Sequence, residues 1–263
     1  MIIYKSDAEI EMMRKSSQIV ARILSELKAM IRPGMETREL DSYAENRARE
    51  LGAVPAFKGY RGYPASLCVS INEEIVHGIP SGRRLQEGDI VSLDFGVVYD
   101  GFYGDAALTV PVGKVSDLAL KLIEVSEKAF YRGLEELRIG NRLSDVSAAI
   151  QREVERAGFS VIRAFVGHGI GRSLHEEPQL PNFGLPGHGP RLKPGLTLAI
   201  EPMIAAGHWE VEVLGDGWTA VTQDRSLSAH YEHTVVLTGN GVEILSLDSQ
   251  EAGGIKAGRT ANA

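Results

Sequence analysis

IVSLDFGVVYDGFYGDAALTV, residues Ile90 to Val110, reads as two strands joined by a tight turn, with one aspartate inside each apolar run. Asp100-Gly101 is a strong hairpin signal, because a type I′ turn needs positive φ at both central positions. That turn sets Tyr99 opposite Phe102, so Asp94 faces Ala107 and Asp105 faces Gly96. Side chains alternate between faces along a strand, which puts Asp94 and Asp105 on one face as diagonal neighbours about 7–8 Å apart. Val91, Leu93, Phe95 and Val97 form an apolar face suited to packing under helices. Ser92, Asp94 and Gly96 form a small, polar face opposite it. Burying two carboxylates together is costly and drives one pKa upward. A shared proton or a divalent cation would relieve the repulsion.

The rest of the chain reads outward from this hairpin. Apolar residues at three- and four-residue steps predict helices over Ser6–Ile31, Thr37–Leu51, Asp117–Leu137 and Ser144–Ala157. Ser6 and Glu9 form a capping box, and Gly52 and Gly158 close the second and fourth helices. Short apolar runs predict strands at Leu67–Ile71, Ser160–Val166, Leu196–Ile200 and His233–Leu237.

The chain also resembles itself. RPGMETRELDSYAENRARELG aligns with RIGNRLSDVSAAIQREVERAG, so that Gly34 meets Gly140 and Gly52 meets Gly158. LQEGDIVSLD aligns with LKPGLTLAIE, so that Asp94 meets Glu201. Two related αβ halves, about 1–115 and 116–248, are expected to share one core within a single domain over 1–248. The segment 249–263 is expected to be a mobile tail, since it has little to bury.

The repeat brings Glu201 to a place equivalent to Asp94, and Glu232 opens the last apolar run much as Asp105 precedes ALTV. Four convergent carboxylates with no matching Lys or Arg in these strands call for bound cations. His168, between glycines just after a predicted strand, adds an imidazole, with His175 in a loop seven residues on. One neutral imidazole with four carboxylates suits Mn, Fe, Co or Zn better than Ca. His188, His208, His230 and His233 read as ordinary loop residues.

With 28 Lys+Arg against 35 Asp+Glu the net charge is −7, which disfavours a general nucleic-acid binder. The one cysteine, Cys68, rules out an intrachain disulfide and favours a reducing, cytoplasmic setting. The N-terminus turns charged by residue 5 and has no signal-peptide core. No run has the ~20 apolar residues of a transmembrane helix. The expectation is a cytoplasmic monomer.

The segments GYRGYPASLCVSINEEIVHGIP, DFGVVYDGFYGD, GHGIGRSLHEEP, IEPM and DRSLSAHYEHTV closely resemble those of type I methionine aminopeptidases. The match runs from about Ile10 to Leu247. The resemblance implies an α+β pita-bread fold, in which two pseudo-twofold αβ halves share a curved antiparallel sheet covered by helices. It implies two divalent ions (Co, Mn, Fe, Zn or Ni) held by Asp94, Asp105, His168, Glu201 and Glu232. Asp94 would chelate one ion, His168 and Glu201 the other, with Asp105 and Glu232 bridging. Glu201 would act as the proton-transfer group, His175 as donor to the carbonyl oxygen, and His77 as a contact to the scissile amide. Tyr60, Tyr63, Cys68, His77, His175 and Trp218 would bind the substrate, with the aromatic and sulfur groups among them suiting a thioether.

Asn72 and Ser228 match positions that bind a monovalent cation in some relatives. Phe57 stands where some members have Cys, and Leu174 where some have Phe. The implied activity is removal of N-terminal methionine from peptides and nascent chains whose second residue is small, with transient ribosome association left open. The competing readings are a pita-bread peptidase that cleaves before proline, and a pita-bread binding module without catalysis.

Overall fold

The computed structural model describes residues 1–248, so the expected tail lies outside the described residues. The helices are α1 (Asp7–Met30), α2 (Thr37–Glu50), α3 (Asp117–Glu136) and α4 (Leu143–Arg156). The strands of the first half are β1 (Val54–Pro55), β2 (Cys68–Ile71), β3 (Glu74–Val76), β4 (Ile90–Tyr99) and β5 (Phe102–Pro111). Then come β6 (Ser160–Val161), β7 (Val166–Gly169), β8 (Glu176–Pro181), β9 (Leu196–Ile200) and β10 (Met203–Ala205). The last five are β11 (Val211–Val213), β12 (Ala220–Thr222), β13 (Ser228–His230), β14 (Glu232–Thr238) and β15 (Gly241–Ile244).

Local chemistry accounts for the helix ends. The Ser6 hydroxyl accepts from the Glu9 backbone N–H at 3.4 Å, and the Glu9 carboxylate accepts from the Ser6 N–H at 3.0 Å. This reciprocal cap satisfies two donors that an open helix leaves bare. Behind α2 and α4, Gly52 (φ 76°) and Gly158 (φ 86°) take the left-handed conformation that lets the chain leave a helix.

The hairpin adopts the register expected from its turn. Asp100 and Gly101 have φ of 50° and 79°, Tyr99 pairs with Phe102, Asp94 with Ala107, and Gly96 with Asp105. The main sheet has the order β1-β4-β5-β14-β9-β7-β8, with β2 also on β4 and β15 also on β14, and its pairings are antiparallel. Two small sheets, β13-β10-β6 and β11-β12-β3, stand beside it.

Helices cover one face of the main sheet. Val20, Ile23, Leu24 and Leu27 of α1 and Leu40 and Ala44 of α2 pack on Val91, Leu93, Phe95 and Val97. Leu122 and Phe130 of α3 and Val146, Ile150 and Val154 of α4 pack on Leu196, Leu198 and Ile200. Each such buried side chain contributes about 1.5–3 kcal/mol. With the apolar face committed to helices, the small polar face is left to line a cavity.

Two expectations need correction. Ser160–Val166 is not one strand: β6 pairs with β10, and the chain then turns to join β9 as β7, because the two pieces belong to different sheets. His168 therefore lies inside a strand rather than after one.

Candidate metal centre and substrate cavity

Two adjacent rows of the sheet assemble the centre. Asp94 on β4 pairs with Ala107 on β5, which pairs with Glu232 at the start of β14. The neighbouring row runs from Gly96 through Asp105, then Thr234 and Ala199, to His168 on β7. Here the link between β5 and β14 is made by a side chain. Thr234 Oγ1 accepts from the Asp105 N–H at 3.0 Å and donates to the Asp105 carbonyl at 2.8 Å. Rows two residues apart share a face, so both aspartates, Glu232 and His168 converge. Glu201, two residues past Ala199, joins them from the end of β9.

Small residues keep this face open. A Cβ on Gly96 would sit 2.9 Å from the Phe57 ring and 3.2 Å from Asp105 Oδ1, and one on Gly167 would meet the Ala199 carbonyl at 2.5 Å. Alanine is the largest side chain between the candidate ligands in either row, apart from Thr234.

The electrostatics are unbalanced without cations. Burial pushes the Asp94 carboxyl up to about 7. Burial first, and then the neighbouring carboxylates, push Asp105, Glu201 and Glu232 well above the ordinary range. Among the described residues, no Lys or Arg is among the groups acting on these four. Asp94 Oδ1, Asp105 Oδ1 and Glu232 Oε1 are buried without a hydrogen-bond partner. A native core leaves few such atoms, and each orphan signals a missing partner. Two divalent ions would balance four carboxylates, so the residues fit a dinuclear centre.

The imidazole is prepared for the same role. His168 Nδ1 donates to the Gly169 carbonyl at 2.9 Å, which leaves Nε2 as the lone-pair nitrogen, 3.5 Å from Glu201 Oε1. Such a backbone bond fixes tautomer and ring orientation in metal-ligating histidines. Burial holds this ring neutral, its pKa lowered to about 4. Two groups of potential ligand atoms lie within 4.8 Å of one another: Asp94, His230 and Glu232, and Asp105, His168 and Glu232. Glu232 belongs to both.

The centre forms one wall of a cavity of about 350 Å³. Tyr60, Tyr63, Cys68, His77, His175 and Trp218 all line it, as do Phe57 and Leu174. His175 stands at the mouth, its Nδ1 2.8 Å from the Tyr60 hydroxyl and its ring 4.2 Å from that of His168. Withdrawal from water, then the neighbouring His168, holds it neutral. His77 sits in the left-handed region (φ 62°), with its ring edge-on to Phe165 and Trp218. Tyr63 turns its hydroxyl to the Gly78 carbonyl at 2.9 Å, leaving the ring as wall against Trp218. Burial, and Asp94 beside it, keep the Cys68 thiol protonated, which suits a wall and not a nucleophile.

Asn72 and Ser228 are adjacent, the Asn72 carbonyl accepting from the Ser228 N–H at 2.8 Å. Both side chains are committed elsewhere: Asn72 Oδ1 to Ile90 N–H, and the Ser228 hydroxyl to the Ile204 carbonyl.

The loop reading of two histidines is overturned. His188 and His208 are exposed, but His230 lies in β13 and His233 in β14, both buried. His233 faces away from the centre and bonds Ser246 and the Tyr231 hydroxyl. His230 faces the carboxylates, with Nε2 3.7 Å from Glu232 Oε2 and 3.9 Å from Glu201 Oε2. The alternation Ser228, His230, Glu232 could have revealed it, since residues two apart share a face in extended chain. Phe165 and Met203 also line the cavity. Met203 stands inside the quoted IEPM segment, whereas Phe165 carries no comparable signal.

The sequence profile described as metallopeptidase family M24 matches residues 11–239. The methionine aminopeptidase of Clostridium perfringens is 53% identical over 247 residues, spanning 94% of this chain and 99% of that protein. Methionine aminopeptidase 1 of Bacillus subtilis is 52% identical over 246 residues, with 94% and 99% covered. Among solved structures, the methionine aminopeptidase of Thermotoga maritima superposes with a TM-score of 0.93 at 48% identity, covering 94% of this chain and 100% of that one. The prolidase of Pyrococcus furiosus reaches 0.77 at 23% identity, covering 93% of this chain and 65% of that one, a likeness of fold alone. The architecture is the pita-bread fold shared by these enzymes.

Proposed function

The chain belongs to metallopeptidase family M24, and from that premise we propose that it removes N-terminal methionine from peptides whose second residue is small. The observation that carries this reading is the joint one. Asp105 and Glu232, buried, and Asp94 and Glu201, half-buried, meet His168 with no cationic side chain of the described residues among them, at the wall of an apolar, aromatic cavity of about 350 Å³. The proposed ligands are Asp94, Asp105, His168, Glu201 and Glu232, with Asp105 and Glu232 bridging. Divalent ions bound there would lower the pKa of a ligated water and polarise the scissile carbonyl.

The chain's own residues would do the rest. Glu201 would hold the proton released by that water and pass it to the leaving amine. The Tyr60 hydroxyl, 2.8 Å from His175 Nδ1, would donate to it, so that the imidazole proton sits on Nε2, free to donate to the carbonyl oxygen as it gains charge. His77, kept neutral by burial, would meet the scissile amide nitrogen. Tyr63, Cys68, Phe57, Leu174 and Trp218 would enclose the methionine side chain, whose thioether gains from aromatic contact.

The proposed catalytic unit is residues 1–248, with halves at about 1–115 and 116–248. A monovalent cation near Asn72 and Ser228 belongs to the same proposal. The proposed setting is the cytoplasm, where a monomer meets nascent chains, with a transient ribosome contact. No helix of the described residues is long and apolar enough to cross a membrane.

The test is release of free methionine from Met-Ala-Ser by metal-stripped protein reloaded in turn with Co, Mn, Fe, Zn and Ni. Methionine release with at least one ion is expected. No release with any of them, alongside cleavage of an Xaa-Pro peptide, would overturn the assignment.

A further inference from the structure

His230 is among the most deeply buried polar residues of the site, 1% exposed, and neither ring nitrogen has a hydrogen-bond partner. A core histidine normally satisfies at least one nitrogen, because an unpaired buried polar group forfeits its hydration with no return. His233, three residues on, does so with both. His230 therefore lacks something that its neighbour has.

Its surroundings say what is missing. The backbone of His230 is clamped by Thr109, whose hydroxyl accepts from its N–H at 2.9 Å and donates to its carbonyl at 2.9 Å. Ser92 holds the Thr109 hydroxyl in turn, at 2.8 Å. The ring is thus aimed rather than free. It points toward Glu232 and Glu201 at 3.7 and 3.9 Å, beyond hydrogen-bond reach. Two donors that each lie about 2.1 Å from one ion are at most about 4.2 Å apart, so the 3.7 Å to Glu232 suits ligands sharing a cation. Asp94 and Glu232, each with one buried oxygen lacking a partner, offer carboxylate oxygens that form a group with His230 within 4.8 Å.

We propose that His230 supplies a second imidazole to the metal centre, on the side held by Asp94 and Glu232. The inference rests on the metallopeptidase reading of the site. It gives each ion one nitrogen ligand, His168 on one side and His230 on the other, with Glu232 common to both. A softer, mixed donor set on the Asp94 side favours transition ions over Mg or Ca there.

The experiment counts imidazoles. Metal-stripped protein is loaded with two equivalents of Co(II), and the hyperfine-shifted, solvent-exchangeable imidazole N–H signals are recorded by proton NMR. Two ring signals are expected in the unaltered protein and one in His230→Gln, which should also bind its weaker Co(II) at least about tenfold less tightly by calorimetry. His230→Asn offers a smaller side chain should the Gln variant not fold.

A single ring signal in the unaltered protein would overturn the inference. So would a second signal that survives in His230→Gln and vanishes in His175→Ala. Either result, obtained with two Co(II) bound and methionine released, leaves the metallopeptidase reading standing. Failure to bind Co(II) at all would overturn both.

Discussion

In the first half, the Gly34 N–H donates to the Leu85 carbonyl at 2.7 Å, the Leu85 N–H to Met35 at 2.9 Å, and Arg84 reaches the Gly34 carbonyl at 2.7 Å. In the second half, Gly140 donates to Leu192 at 3.3 Å, Leu192 to Asn141 at 2.8 Å, and Arg191 reaches Gly140 at 3.1 Å. The bridges Glu36–Arg84 and Arg142–Arg191 occupy matching places, and α2 and α4 both follow. Up to Asp94 and Glu201 the two stretches are built alike. Beyond those residues they diverge. The first half turns at Asp100-Gly101 and returns Asp105 to the site within one hairpin. The second half runs from Glu201 through β10 to β13 before Glu232 returns on β14. That excursion carries Met203, Trp218 and His230. A repeated scaffold thus positions carboxylates, while the extra chain in one copy adds Trp218 to the aromatic wall and, by the inference above, the second imidazole.

The largest effect should come from the compact half. Asp105→Asn removes one charge from a residue proposed to bridge the two ions, and metal affinity should fall by about a hundredfold or more. Calorimetric titration of stripped protein should then find one tight site instead of two. Two tight sites and undiminished methionine release would break the bridging assignment and with it the claim that the hairpin anchors both ions.

Within the excursion, Trp218 should act on substrate and not on metal. Trp218→Ala opens the wall against Tyr63 and His77. KM for a methionyl peptide should rise about tenfold, the scale of lost hydrophobic pocket contacts, with two ions still bound. Loss of an ion in this variant would mean that the excursion's wall and its metal contribution are not separate.

The smallest effect tests the likeness itself. Gly34 (φ 85°) and Gly140 (φ 94°) have open space around the missing Cβ, so alanine would cost backbone strain and nothing else. Each substitution should destabilise by about 1–2 kcal/mol in thermal or urea unfolding, with methionine release retained. Unequal costs would mean that the two turns, alike in hydrogen bonding, are unlike in strain.

Much of the scaffold was legible because its signals are local. The four helices have caps and apolar spacing, and β4 and β5 are ten residues each, long enough for alternation to be read. The strands β10 to β13 are three residues each, too short to carry a period, and only their tertiary pairing makes them strands. That is why His230 was missed although Glu201 and Glu232 on either side of the excursion were not, while Phe165 lies in the connection between β6 and β7, where no period runs. His230 looked like a loop histidine because β13 is only three residues long and ends on it.

The sequence by itself determined that Asp94 and Asp105 share a face, since a two-residue turn and an alternation of period two leave no other register. It also determined, through the repeat, that Glu201 would stand where Asp94 stands. Only the tertiary structure decided that Glu232, His168 and His230 join them. Their meeting depends on the order β5-β14-β9-β7 and on the small sheet that carries β13, pairings between segments far apart in the chain. No local pattern encodes such pairings: they are chosen by which apolar faces the helices cover, and the ligands arrive on the face left over.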